Sequence, residues 1–137
     1  MDKVGTLFGN TAVCLTLMAR QGKEIISEKS WKSTIEGFEG KDCYVNKPCP
    51  KNTYFGMCSK GLVKGIPKGN YLQNETVEVE YAKIAIKILK ENEAESENPR
   101  DLWRKVMEEG GYDEEKNYDF QMDVVCALWN AGFIKIN

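Results

Sequence analysis

The sequence predicts an all-α fold, a single-domain bundle of about six helices spanning residues 1–137. Three observations support this. Apolar residues recur at helical spacing from one end of the chain to the other. Capping side chains and prolines stand where helices would begin, and glycines where they would stop. Segments with the apolar–polar alternation of a half-buried strand are almost absent.

Taken in order, Asn10 is placed to cap a first helix running to about Arg20. Ala12, Val13, Leu15, Leu17 and Met18 make it apolar on most sides, and Gly22 stops it. Trp31, Ile35 and Phe38 fall on one stripe of a second helix, expected to end at Gly40. After a loop over residues 41–48, Cys49-Pro50 reads as N-cap and first position of a third helix, since proline there lacks only an N–H that would go unused. That helix should end at Lys60, with Gly61 taking the left-handed position and Leu62 packing back. Residues 65–69, Gly-Ile-Pro-Lys-Gly, are turn chemistry. Thr76 can cap a fourth helix to about Asn92, and its broad stripe of Val79, Ala82, Ile86 and Leu89, widened by Ile84 and Ile88, marks a central helix. A polar linker follows. Asn98-Pro99-Arg100-Asp101 is a strong start for a fifth helix with Leu102, Trp103, Val106 and Met107 inward, closed by Gly110-Gly111. Asp119 is placed to cap the last helix, whose apolar run ends at Trp129 before Gly132.

A chain of 137 residues can enclose one core and is short for two ordinary domains. Its 42% apolar and 29% charged residues fit a globular protein rather than a disordered or membrane one. The longest wholly apolar run is residues 124–129, far below the roughly 20 residues needed to span a bilayer. The start shows no basic–apolar–small leader pattern, so no secretory signal is expected. With that, five cysteines, an odd number, point to reduced thiols and a cytoplasmic protein. The sequon at Asn74 then carries no meaning.

Charge is unevenly placed. Residues 1–70 hold 11 Lys/Arg against 6 Asp/Glu, a balance of +5, and residues 71–137 hold 8 against 15, a balance of −7. Either the halves attract each other within the fold, or the basic stretch from Lys41 to Lys68 meets an anionic partner while the acidic half stays solvated.

One internal echo stands out. Residues 55–64 (Phe-Gly-Met-Cys-Ser-Lys-Gly-Leu-Val-Lys) align without gaps on residues 126–135 (Cys-Ala-Leu-Trp-Asn-Ala-Gly-Phe-Ile-Lys). A duplicated unit would produce this, and so would two ordinary glycine-terminated helices, the plainer reading. A helix followed by Gly-apolar-apolar also occurs in winged-helix DNA binders, but no arginine-rich recognition helix or basic wing accompanies it here.

Chemistry is sparsely signalled. The chain has no histidine, which removes the commonest general base, the usual Cys–His and Ser–His pairs and most zinc sites. No phosphate-loop or dinucleotide fingerprint is present. Cys43, Cys49 and Cys58 lack metal-ligand spacing, and a helix between Cys49 and Cys58 would hold them roughly 13 Å apart. No metal or cofactor is expected. Cys49, as an N-cap beside Lys51, would sit where thiolate is stabilised, a reactive or anion-sensing residue, or else a plain capping residue. Lys64, Lys68 and Tyr71, set among glycines, could cradle a phosphate or carboxylate, or form a solvated turn. Gln121 and Asp123 lead into an apolar helix, either satisfying its first turn or lining a pocket with carboxylates near the lysines.

Cys49-Pro50-Lys51, Phe55-Gly56-Met57-Cys58, Gly61-Leu62-Val63-Lys64-Gly65-Ile66-Pro67 and Gly69-Asn70-Tyr71 together resemble the signature of a family of small bacterial proteins of unknown function. Asp101-Leu102-Trp103, Gln121-Met122-Asp123-Val124-Val125 and Ala127-Leu128-Trp129 are similar to its C-terminal pattern. The N-terminal helices match only in general character, and residues 39–47 depart from the pattern. The resemblance implies a bacterial, cytoplasmic, single-domain protein and supplies no reaction.

These readings favour a non-enzymatic binding or regulatory protein that engages a protein or small anionic ligand through Cys49, Lys51, Lys64, Lys68 and Tyr71, with Gln121 and Asp123 alongside. The alternatives are a small enzyme using Cys49 as nucleophile or Lys/Asp groups for acid–base work, and a nucleic-acid binder. The net charge of −2 disfavours the latter.

Overall fold

The computed structural model describes residues 3–38, 42–72, 77–112 and 117–135. Among them the helices are α1 (Lys3–Arg20), α2 (Glu28–Gly37), the one-turn α3 (Asp42–Val45), α4 (Pro48–Ser59), α5 (Glu78–Glu91), α6 (Pro99–Gly110) and α7 (Gln121–Asn130), with a 3-10 turn (Glu93–Glu97) between α5 and α6. The extended pairing found among the described residues is a single antiparallel bridge, Val63 with Ile134. The all-α expectation holds, with six helices of ten residues or more.

Where local chemistry is strong, the helices fall as expected. Asn98 Oδ1 accepts the Asp101 N–H at 3.1 Å and Pro99 opens α6. The α5 stripe is inward, with Val79, Ala82, Ile86 and Leu89 all buried. Other boundaries differ. α1 includes Lys3 through Gly9, so Asn10 is an exposed interior residue and not a cap. α2 is held by a reciprocal box, Ser27 Oγ accepting from Ser30 N–H at 3.1 Å and Ser30 Oγ from Ser27 N–H at 2.9 Å. It closes at Gly37, before Gly40, which like Thr76 lies outside the described residues. α4 starts two residues earlier than expected: Lys47 is the N-cap and Pro48 the first helical residue, so Cys49 is not a cap. Asp119 does not cap α7 either. Phe120 holds that position at φ 66°, and the Gln121 side chain accepts the Asp119 N–H at 2.7 Å.

The core is one cluster. Trp31, Tyr54 and Phe55 pack ring against ring at its α2–α4 side, and a buried hydrogen bond of 2.7 Å joins Thr16 to the Tyr54 hydroxyl across α1 and α4. α1 lies along α7, and α4 along α5. α4 and α7 run side by side in the same direction, starting together at the Lys47–Asp119 ion pair (2.7 Å) and ending together at the Val63–Ile134 bridge.

The echoed segments are these two helix ends. In each, a glycine with positive φ (72° at Gly61, 79° at Gly132) follows the last turn. The next N–H then reaches back, Leu62 to Met57 O and Phe133 to Leu128 O, both at 2.9 Å. The ends also bond to each other reciprocally: Lys64 N–H donates to Phe133 O at 2.7 Å, and Lys135 N–H to Leu62 O at 2.8 Å. Ordinary capping and a two-fold relation are thus both present.

The relation extends well beyond the ten echoed residues. Ser27 and Asn98, which cap α2 and α6, are 71 positions apart (98 − 27), the same offset as Gly61 and Gly132 (132 − 61). One position out of that register, at an offset of 70 (79 − 9), the buried positions Gly9, Thr11, Ala12, Leu15 and Thr16 of α1 recur on α5 as Val79, Tyr81, Ala82, Ala85 and Ile86. α1 packs on α2 as α5 packs on α6. The crossings match as well. A Cβ placed on Gly9 would stand 2.7 Å from the Ala127 Cβ, and one on Gly56 would stand 3.0 Å from the Val79 Cβ. One crossing therefore pairs glycine with alanine and its counterpart pairs valine with glycine, so in each a missing side chain makes room for its neighbour.

This exchange is testable. Gly9→Val should destabilise the protein by about 2 to 3 kcal/mol through overpacking against Ala127. Adding Ala127→Gly, which reproduces the Val79–Gly56 arrangement, should recover about 1 kcal/mol or more of that loss. Urea unfolding of the two variants and the parent measures both quantities.

Candidate functional site

The residues singled out from the sequence fall into three places. At the C-terminal end of α4, the chain from Lys60 to Lys68 folds over the bridge and, with Lys135 from the partner turn, lines a groove of about 730 Å³. Val63 and Ile66 anchor its floor in the core, 1% and 6% exposed, so the lysines between and around them are turned outward. Gly65 has φ 83°, and a Cβ there would stand 2.6 Å from the Arg20 Nε, so any other residue would be strained and would have to displace the Arg20 side chain. Arg20 thus presses against the groove wall, with its guanidinium 4.9 Å from the Phe133 ring centre. Tyr71 braces the same wall from the other side. Its hydroxyl donates to Pro67 O at 2.7 Å and its N–H donates to Ser59 Oγ at 3.1 Å. Burial raises its pKa above the ordinary phenol value, so it stays a neutral donor.

Lys60, Lys64, Lys68 and Lys135 line this groove, Arg20 flanks it, and among the described residues no acidic side chain lines it. Lys64, Lys68 and Lys135 have no acidic partner among the described residues. The C-termini of α1, α4 and α7 converge here, each equivalent to about −0.5 charge. Some of the cationic charge therefore serves the helices. Three helix ends offset about 1.5 of it, so the three lysines without a described acidic partner, together with Arg20, leave the described lining net positive.

Cys49 and Lys51 lie at the opposite end of α4, roughly 18 Å away along the helix axis. Lys51 pairs with Glu28 at 3.2 Å and Lys47 with Asp119 at 2.7 Å, a bond that raises the Lys47 pKa. Around Cys49 the local charge is the reverse of that expected. Burial, then the neighbouring carboxylates of Asp119 and Glu78, push its thiol up to about 12. It is a neutral thiol at pH 7.

Gln121 and Asp123 form the third place, at the start of α7. Gln121 is buried with its side chain spent on the Asp119 N–H. Asp123 accepts from the Tyr118 hydroxyl, and its own N–H donates to the same oxygen at 3.0 Å. Burial, then the Asp123 charge, holds the Tyr118 pKa far above its ordinary value. The Asp123 carboxylate also fills the space that a side chain at Gly5 would take. Asp123 sets the α1–α7 contact and Gln121 the turn before α7, and neither meets the lysine turn, which lies roughly 13 Å further along α7. All five cysteines are free, and no group of metal-ligating side chains occurs among the described residues.

A model of a family of unknown function (DUF6979) matches residues 5–135. The chain belongs to this family. No curated protein and no solved structure matches it significantly. In this DUF6979 member, the groove brings together Lys64 and Lys68, both singled out from the sequence, with Lys60, Lys135 and Arg20, which were not. The echo had placed Lys135 in register with Lys64. No local signal marks Arg20, which arrives through the packing of α1 on α7.

The Cys49 environment sets an expected result. Iodoacetamide at pH 7 should label Cys49 at least tenfold more slowly than a free-cysteine peptide, with the exposed Cys43 reacting first, as read by peptide mass mapping.

Proposed function

We propose that this DUF6979 protein is a non-enzymatic binding protein that takes a small anionic ligand in the Lys60–Lys64–Lys68–Lys135 groove. One observation carries the reading: Lys60, Lys64, Lys68 and Lys135 converge on a single concavity, and among the described residues no carboxylate side chain lines it. The charge pairing elsewhere supports it. Lys47–Asp119 joins the two halves of the chain, whereas Lys51–Glu28, Lys83–Glu80, Lys87–Glu109, Arg104–Asp101 and Lys105–Glu95 pair within one half. Among the described residues, Lys64, Lys68 and Lys135 are thus not paired with the acidic half. Five free cysteines are consistent with work in a reducing cytoplasm. A nucleophilic role for Cys49 is disfavoured by its protonated thiol and by the absence of histidine. A nucleic acid would require a longer cationic track than one groove provides on a chain of net charge −2.

The strength of such binding can be bounded. Each cation at about 4 Å contributes about 1 kcal/mol in water, so four or five give about 4 to 5 kcal/mol, a dissociation constant of about 1 mM or just below. Pyrophosphate titrated into the protein should bind in that range by calorimetry and lose most of its affinity in about 0.5 M salt. Lys64→Glu with Lys68→Glu should remove the binding, whereas Lys83→Glu with Lys87→Glu on α5 should not. Binding that survives the first pair, or no binding to the parent protein, overturns the reading.

A further inference from the structure

The groove does not end at its lysines. Beside it lies a second hollow of about 420 Å³, lined by Gly56, Ser59, Lys60, Lys68, Gly69, Asn70, Leu72 and Val79. Lys60 and Lys68 border both spaces. The Lys68 stem lies over Gly61, its Cβ, Cγ and Cδ 3.5 to 4.0 Å from where a Cβ on that glycine would stand, so its methylenes form part of the partition. Beyond that partition, the charged side chains give way to Leu72 and Val79. Gly56 supplies depth, since a Cβ there would come within 3.0 Å of Val79 and 3.6 Å of Leu72 and close the floor. Ser59 and Asn70 are the uncharged polar residues of the lining, and Ser59 Oγ is already engaged by the Tyr71 N–H.

We infer that the ligand is an anionic amphiphile: a phosphate or carboxylate held by the lysine groove, joined to an apolar ring system or short chain that occupies the Gly56–Leu72–Val79 hollow. This rests on the anion-binding reading above and deepens it. At about 30 Å³ per heavy atom, the share a water takes in the liquid, the hollow accommodates about 10 to 14 non-hydrogen atoms. Both spaces fall within the range of small-molecule sites, and a few charged groups beside an apolar lining are what such sites present. Electrostatics in an open groove yields only weak binding, so the apolar body supplies the remaining affinity and the selectivity among anions. Inorganic phosphate fills one space and leaves the other empty. A sugar–phosphate backbone has no apolar group to place there.

The probes are inorganic phosphate, 1-naphthyl phosphate, decanoate and 1-naphthol, titrated calorimetrically into the full chain. Naphthyl phosphate, decanoate or both should bind at least 30-fold more tightly than inorganic phosphate, and naphthol, lacking the anion, at least tenfold more weakly than naphthyl phosphate. Which of the two acids gains more identifies the head group. Leu72→Asn, which adds no charge beside Lys60 and Lys68, should reduce the amphiphile to about the affinity of inorganic phosphate. Asn70→Trp, which fills the hollow from an exposed position, should do the same and guards against a folding defect at Leu72. Equal affinity for inorganic phosphate and both amphiphiles, or no effect of either variant, overturns the amphiphile inference and leaves anion binding standing. If neither phosphate nor amphiphile binds, the anion reading falls and this one with it.

Discussion

Two backbone hydrogen bonds between distant turns hold this helical protein in its observed form. Lys64 N–H to Phe133 O and Lys135 N–H to Leu62 O join the ends of α4 and α7, with Val63 and Ile134 buried beneath them. The bonded groups flank Val63 and Ile134, and pairing them across the two turns satisfies the backbone while both apolar side chains stay in the core. The bridge therefore sets where α4 and α7 end relative to each other. It also fixes the lysines that follow Val63 and Ile134 on one surface. The groove is a consequence of this pairing, since its two walls come from segments that share no local contact.

Much of the fold was legible in the sequence where local chemistry and packing agree. The Asn98-Pro99-Asp101 start of α6 and the stripe of α5 are both of this kind. It was less legible where tertiary contact overrides a local preference. Asn10 is a good cap, yet the turn before it is helical because Gly5 and Gly9 allow close approach to α7. At α4 two prolines compete, and the helix begins at the first, which moves Cys49 inside and away from the capping position. Asp119 has the right side chain for a cap but is drawn to Lys47.

The candidate site divides in the same way. Lys64 and Lys68 were legible because glycines on both sides leave them few structural duties. Lys135 could have been read from its register with Lys64, had the echo been taken as a structural pair rather than two similar helix ends. Tyr71 lies at the groove as a brace for its wall. Gln121 and Asp123 were misleading because polar residues at the start of an apolar helix look alike whether they line a pocket or satisfy a contact. Only their partners, the Asp119 N–H and the Tyr118 hydroxyl, distinguish the two.

The crossed packing of the halves also governs how the chain can fold. α1 finds its main partner in α7 and α4 finds one in α5, so neither half covers all of its own apolar faces, although α1 packs on α2 and α5 on α6. Most helical bundles gain early contacts between neighbours in sequence and fold fast. Here α1 lies against α7, so part of its Phe8–Leu15 face is covered only once α7 has been made. The later that contact forms, the longer apolar surface on α1 stays open to other chains. Although the finished form contains little besides helices, its assembly depends on a contact between elements about a hundred positions apart.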